Sequence, residues 1–279
     1  MRESLMLRFL YRTVPGRMVL KLLVQPKVSE AAGYYLSSRA SKWIVPYYIR
    51  KHKIDMSDID IPAGGFSSFN DFFTRRRSVE CFDVTYGHLI SPCDGLMSCT
   101  RIKGKTVLDI KNSKYTLNDL LEDHKLAGQF RDGTALVFRL TPADYHRYCY
   151  VANGRVLQHK RIRGRLHCVR PIALRAIPVF AQNSREYQVL ETESFGTVIQ
   201  MEIGALLVGK IRNNSSSSKY SYVSRGEEKG YFEFGGSTII MLFKKNKICI
   251  NENLYKRQNS DGEIPVHMGE FVARAEEGR

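Results

Sequence analysis

A serine behind two glycines is the group in this chain best placed to do chemistry. Residues Lys229 to Thr238 read Lys-Gly-Tyr-Phe-Glu-Phe-Gly-Gly-Ser-Thr and run into the apolar segment Ile239-Ile240-Met241-Leu242-Phe243. Glycine adopts dihedrals that a Cβ forbids, so the Gly236 carbonyl can be offered to the Ser237 hydroxyl at an unusual geometry. The same letters also spell a turn or bulge entering a buried strand, and the stretch alone favours that plainer reading. Further candidates are Asp94 in Pro92-Cys93-Asp94-Gly95, which is also a preferred turn pair, and His146, which stands after a Pro-Ala-Asp-Tyr turn. Cys149 and His167 complete the set.

What changes the weight of the glycine-serine element is the order of its companions. Phe69-Asn70-Asp71-Phe72-Phe73-Thr74-Arg75 comes first, then Ser91-Pro92-Cys93-Asp94-Gly95, then Leu140-Thr141-Pro142-Ala143-Asp144-Tyr145-His146-Arg147. Gly196-Thr197-Val198 leads on to Gly204-Ala205-Leu206-Leu207-Val208-Gly209-Lys210-Ile211, and the Gly-Gly-Ser-Thr element closes the series. Together, over roughly residues 60 to 250, these segments resemble the phosphatidylserine decarboxylase family of pyruvoyl-dependent enzymes.

The resemblance implies that the chain cleaves itself between Gly236 and Ser237. Residues 1–236 become a large β chain, residues 237–279 a small α chain, and Ser237 becomes a covalent pyruvoyl group. The implied reaction converts phosphatidylserine to phosphatidylethanolamine and CO2 through a Schiff base with that group, with no metal or nicotinamide cofactor. Asp94 is then the expected processing acid/base, and His146 the acid that protonates the carbanion left by CO2. Many members carry a second histidine three residues after the first, and here Cys149 stands in its place. A thiol is a base only as thiolate, with a reference pKa of about 8.5. His167 could substitute if the fold brings it near, and Asp94 could act through water. The family usually has leucine where this chain has Arg77. The plain reading of Arg75-Arg76-Arg77 is a solvated helix end.

Composition bounds the partners. With 279 residues, 43% hydrophobic and 25% charged, the chain is an ordinary globular length and mixture, yet its formal charge is +15. Residues 1–53 hold eleven Lys or Arg against Glu3 and Glu30, which is +9 of that surplus. A basic segment rich in aliphatic residues suits an anionic membrane surface. Nucleic acid is disfavoured, because the basic residues interleave with helix formers rather than with an aromatic platform on strands. Six cysteines contain no Cys-x-x-Cys pair, so reduced thiols in a cytosol-facing protein are expected.

The chain divides on this reading into a basic amphipathic helical region, 1–60, and a catalytic domain, 61–279. Pro15-Gly16 and Gln25-Pro26 split the first region into short helices, and a longer helix is expected from Ser29 to Arg50 despite Pro46. Ser68 and Asp71 have the shape of a capping box opening a helix from Phe69 to Arg76. Strands are expected at Thr134 to Leu140, Arg147 to Val151, Val156 to Ile162, Thr197 to Ile203, Leu206 to Ile211, Ser237 to Phe243 and Lys247 to Ile250, with one helix from Leu117 to His124. Asn213 to Ser218 reads as a mobile polar loop. The expected fold is α+β: a helical membrane-associating segment followed by a mainly β barrel or sandwich.

These features point to a peripheral enzyme on the cytoplasmic face of the cell membrane, with phosphatidylserine as substrate and a homodimer left open. Two other readings remain at this stage. One is a thiol hydrolase using Cys149 with a histidine, and the other is a non-catalytic basic membrane-binding module.

Overall fold

The computed structural model describes residues 5–276, apart from 79–80, 105–106, 111–112, 170, 175, 206–209, 215–219 and 235–236. Gly236, Ser215 to Ser218 and most of the expected run Leu206 to Ile211 thus lie outside the described residues.

Eight strands form the main sheet: β1 (Gly95–Arg101), β2 (Thr134–Leu140), β3 (Gly154–Ile162), β4 (Arg185–Thr192), β5 (Gly196–Ile203), β6 (Tyr222–Val223), β7 (Ser237–Phe243) and β8 (Ile264–Val266). Their spatial order is β6-β3-β4-β5-β7-β2-β1-β8, antiparallel throughout. β7 lies inside the sheet between β5 and β2, and every one of its residues is buried. That is why Ser237 to Phe243 reads as a continuous apolar run rather than an alternating one.

The barrel half of the expectation needs correction. The sheet ends in β6 and β8, strands of two and three residues that do not pair with each other, so it stays open. Closure would need a continuous staggered register around the ring, and such short edges cannot supply it. The fold is mixed α and β, with two further three-stranded sheets. One joins Ile211–Asn213, Glu228–Phe232 and Arg147–Cys149; the other joins Ile248–Ile250, Phe271–Ala275 and His88–Ile90.

The N-terminal region folds into α1 (Leu5–Arg12), α2 (Val14–Leu23), α3 (Pro26–Ser37) and α4 (Ile44–His52). Thr13 caps α2 by accepting the Gly16 amide at 3.1 Å. The single helix expected from Ser29 to Arg50 is broken. Ser38 leaves helical dihedrals, and the Ser41 hydroxyl donates to the Leu36 and Ser38 carbonyls at 2.8 and 2.7 Å. The same hydroxyl accepts the Phe69 amide at 2.9 Å, docking α5 (Phe69–Phe73) on the break. Pro46 is tolerated because it sits in the first turn of α4, where its absent N–H has no helical partner to lose.

Ser68 caps α5 by accepting the Asp71 amide at 3.1 Å, while the Asp71 carboxylate takes the Ser67 amide at 2.7 Å, one residue outside the expected box. The helix expected from Leu117 to His124 is two: α6 (Leu117–Leu121) and α7 (His124–Gly128), divided at left-handed Glu122. β4 is unexpected, because Arg185, Glu186 and Gln188 hide a strand whose polar side chains are buried. Asn213 is not loop, and Asn214 is held in place. Asn213 ends a strand, and the Asn214 side chain donates to the Glu228 carbonyl at 2.9 Å.

Candidate active site at one end of the sheet

Strand register gathers the candidates at one end of the main sheet. Ser237 opens β7 opposite Leu140, the last residue of β2, and Thr238 stands opposite Ile203, the last residue of β5. Leu96 faces Arg139, and Val266 faces Gly95, so Asp94 and His267 flank the same edge. One strand, β2, separates Ser237 from the Asp94 turn, a span of about 10 Å at ordinary strand spacing. Gly95 is required there: at φ +146°, a Cβ would meet the Arg139 carbonyl oxygen at 2.7 Å.

Ser237 is fully buried, and its hydroxyl has no hydrogen-bond partner among the described residues; the Thr238 hydroxyl is the same. Buried hydroxyls are nearly always satisfied, so two adjacent orphans mark a site rather than a packing detail.

Asp94 is fully engaged. Arg77 Nη1 and Nη2 donate to its two oxygens at 3.1 and 2.6 Å, and the Met268 amide donates at 2.9 Å. His267 Nδ1 lies 3.9 Å away. Arg77 also pairs with Asp58 at 3.0 Å and lies over the Tyr145 ring. The solvated helix end is therefore a correction: α5 stops at Phe73, Arg75 is buried, and of the three arginines Arg76 alone is exposed.

His146 has no accessible surface. Its ring lies 4.0 Å from that of Phe73, centroid to centroid, and its Nδ1 is 2.8 Å from the Asp144 carbonyl. A carbonyl can only accept, so Nδ1 carries the proton and Nε2 presents a lone pair. Nε2 has no partner. Burial, with the nearby Arg75 charge, lowers its pKa to about 3. The ring is therefore neutral at pH 7 in this state, a proton acceptor that must be loaded before it can act as an acid.

Cys149 lies beneath the Asp94 turn. Its thiol approaches the Ser91 carbonyl at 3.9 Å and its amide donates to Pro92 at 2.9 Å. Neither His146 Nε2 nor either ring nitrogen of His167 bonds it, so the pair a thiol hydrolase needs is not formed.

His167 comes to the strand beside Ser237. The Asn183 side chain accepts the His167 amide at 2.9 Å and donates to the His167 and Gly204 carbonyls at 2.8 and 2.7 Å. Gly204 directly follows the end of β5, next to the start of β7. Burial, then the Arg165 charge, lowers His167 to about 4, leaving another neutral imidazole with free ring nitrogens.

A cleft of about 440 Å³ opens at this end, lined by Arg75, Arg77, Asp94, Asp144, Tyr145 and His267 among others. A larger one of about 580 Å³ lies by α6 and α7, and none of the candidate residues lines it. Sequence reasoning leaves Asn183 out of the candidates and takes Arg75 and Arg77 first as a solvated helix end. An asparagine in Gln182-Asn183-Ser184 carries no pattern, and only the fold shows that its side chain ties two segments together.

Fold and site define a mixed α/β protein with an open antiparallel sheet and an unsatisfied serine hydroxyl at the start of an inner strand. The family model described as "Phosphatidylserine decarboxylase" matches residues 69–274, and the chain belongs to that family. It is 42% identical over 269 residues to phosphatidylserine decarboxylase proenzyme 2 of Clostridium acetobutylicum, covering 95% of this chain and 90% of that one. It is 38% identical over 272 residues to the phosphatidylserine decarboxylase proenzyme of Ruminiclostridium cellulolyticum, covering 96% and 90%. The proenzyme of Fusobacterium nucleatum is 36% identical over 269 residues, covering 95% and 89%.

Proposed function

We infer that this chain is a phosphatidylserine decarboxylase that makes its own pyruvoyl group from Ser237. The observation that carries the reading is the buried, unpartnered Ser237 hydroxyl at the head of β7, inside the segment matched by the family. The relatives are named as proenzymes, which accords with a precursor that matures by cleavage.

In maturation the Ser237 oxygen attacks the Gly236 carbonyl carbon, and an ester replaces the amide as the C–N bond breaks. Loss of the Ser237 α-proton then expels the Gly236 carboxylate and leaves dehydroalanine, which takes up water and loses ammonia to give the pyruvoyl terminus. His167 is our candidate to receive the hydroxyl proton: it is neutral, unpartnered and tied to the neighbouring strand end. Asp94, locked by Arg77 and Met268, holds the adjoining turn rather than acting as a free base. Cys149 packs beneath that turn.

The buried cradle suits the group. The pyruvoyl carbonyls supply the sink for the electron pair left when CO2 departs, and a dry pocket strengthens every charge interaction around it. His146, whose Nε2 has no hydrogen-bond partner among the described residues, is our candidate proton carrier, taking up a proton before returning it to the substrate carbon.

The region 1–60 serves as a membrane-associating unit and 61–279 as the catalytic domain, cleaved into β and α chains. On α1 and α2, Leu5, Met6, Phe9, Met18 and Leu22 are exposed, while Leu7, Leu10, Tyr11 and Leu20 pack inward. Arg8, Arg12, Arg17 and Lys21 lie among them. No helix among the described residues is long and apolar enough to cross a membrane. An apolar outer face with interspersed cations suits a helix lying in an anionic bilayer surface, which also holds the lipid substrate. We place that surface on the cytoplasmic side of the cell membrane.

Intact mass under denaturing conditions tests the reading. Wild type should give two chains, the smaller beginning with a pyruvoyl terminus, and should release CO2 from phosphatidylserine vesicles. Ser237→Ala should stay a single inactive chain. One uncleaved chain in both samples would sink it.

A further inference from the structure

We propose that Arg75 is the anchor for the phosphodiester of the substrate headgroup. This rests on the decarboxylase reading for the identity of the lipid, and on its own geometry for the presence of an anion.

Arg75 is 5% exposed and lies in the wall of the cleft beside Asp94 and Asp144. One nitrogen, Nη2, is fixed by the Ala143 and Asp144 carbonyls at 3.3 and 3.4 Å, and the guanidinium stands 5.1 Å from the Phe72 ring centroid. Nε and Nη1 have no hydrogen-bond partner among the described residues. Guanidinium cannot escape the cost of burial by losing its proton at any working pH, so two nitrogens with unspent N–H groups on a buried cation call for an anion.

Among the described residues no carboxylate bonds Nε or Nη1. Asp94 and Asp58 pair with Arg77, the Asp144 carboxylate accepts the Thr141 amide at 2.5 Å, and Asp55 accepts the Ser57 amide at 2.9 Å. Arg75 is a buried cation of this wall with donors to spare, and its Nε and Nη1 open on different edges of the guanidinium, so a single anion oxygen takes one of them as a charge-assisted hydrogen bond.

The serine headgroup carries two anions, and the chemistry chooses between them. A guanidinium on the carboxylate would stabilise the charge that must leave as CO2, opposing the reaction. One on the phosphodiester is equally favourable before and during bond breaking, so it contributes binding without slowing the chemistry. Arg75 also follows α5, whose Phe73 packs against His146, so one short element fixes both the anchor and the proton carrier.

The test uses the full chain in two forms. In the processed enzyme, Arg75→Gln should raise KM for a short-chain phosphatidylserine about ten- to a hundredfold while kcat changes little, and Arg75→Lys should fall between. In the uncleavable Ser237→Ala chain, calorimetry should show glycerophosphoserine bound, serine not bound, and binding at least about tenfold weaker when Arg75→Gln is added. A fall in kcat at unchanged KM overturns the anchor, as does equal affinity with and without Arg75, or no binding by the Ser237→Ala chain. Inorganic phosphate binding as tightly as glycerophosphoserine overturns the headgroup assignment. Should wild type bind glycerophosphoserine through Arg75 yet release no CO2 from the lipid, the decarboxylase reading falls and the anion site stands.

Discussion

Arg77 and Asp94 form a two-pronged ion pair, 3.1 and 2.6 Å, between the segment after α5 and the turn into β1. Asp94 stays in place partly through this pair and partly through the Met268 amide. Arg77→Leu removes one partner of a largely buried pair and should destabilise the chain by about 1–3 kcal/mol. Asp94→Asn should cost less in the Arg77→Leu background than alone, because the two changes remove the same interaction. Urea unfolding of the four chains, all carrying Ser237→Ala to keep them uncleaved, measures the coupling.

If His167 receives the serine proton, maturation has a distinct pH profile. With its pKa near 4, His167 is a base across the whole range above that value. The cleavage rate should therefore be flat from about pH 5.5 to 8 and fall only below. A thiolate from Cys149 would instead make the rate climb toward pH 8.5 or so. His167→Gln should slow cleavage at least about a hundredfold, and Cys149→Ser should leave it within a few-fold. Timed denaturing gels of fresh precursor separate the two.

The buried histidines also make the fold acid-sensitive. His146 is protonated below about pH 6.5 when unfolded but only near pH 3 when folded. Its folded pKa is depressed, so the unfolded state binds the extra proton in between. The stabilisation is complete above about pH 6.5 and is lost as pH falls toward the folded pKa, by up to about 1.4 kcal/mol per unit. His167 adds in the same direction, over a window ending near pH 4. Urea midpoints of the Ser237→Ala chain should drop between pH 7 and 5, and less steeply once His146→Gln is introduced. Equal slopes would mean that His146 titrates normally.

These residues differ in how far the sequence betrays them. The run Ser237 to Phe243 announces a strand buried on both faces, and Thr134 to Leu140 matches its neighbour β2 residue for residue. β4 is silent because Arg185, Glu186 and Gln188 look solvated until partners from α6, His159 and the strand ending at Asn213 surround them. Ser237, Asp94 and His146 are singled out as candidates by motif order alone. The locking of Asp94 by Arg77 and the strapping of His167 by Asn183 depend on contacts across 17 and 16 positions. Local patterning cannot reach them. The break between α3 and α4 is missed for a similar reason: Ser41 is a bland letter until its hydroxyl joins both sides of the break to α5.

Membrane attachment should depend on the outer face of α1 and α2. Leu5 and Leu22 are 82% and 69% exposed, and each would gain about 1.5–3 kcal/mol on entering the acyl boundary. Changing Leu5, Phe9 and Leu22 to Ser should weaken binding to phosphatidylserine-containing vesicles by about tenfold or more without changing the cleavage rate. Reversing Arg8, Arg17 and Lys21 to Glu should weaken it too, and should abolish its sensitivity to salt. Sedimentation with vesicles at two ionic strengths reads both effects, and unchanged binding in the serine variant would leave these helices as a structural cap.

Lys229 and Glu202 form an ion pair with neither side chain accessible, Nζ to carboxylate 2.5 Å, and Asn213 accepts from the same ammonium at 3.1 Å. Burial pushes the Glu202 carboxyl up, against the lowering effect of Lys229. The pair joins Glu228–Phe232, the strand leading toward Gly236, to β5, the strand that holds β7. Lys229→Met strands a carboxylate in the interior and should cost about 3–5 kcal/mol. Removing both charges with Lys229→Met and Glu202→Leu should recover most of that, since two apolar groups of similar volume leave nothing unpaired. If the pair serves stability alone, the double variant will cleave as fast as wild type. Should it be as stable as wild type yet cleave slowly, the pair sets where the strand before Gly236 lies relative to Ser237, and the stability and cleavage assays together distinguish the two roles.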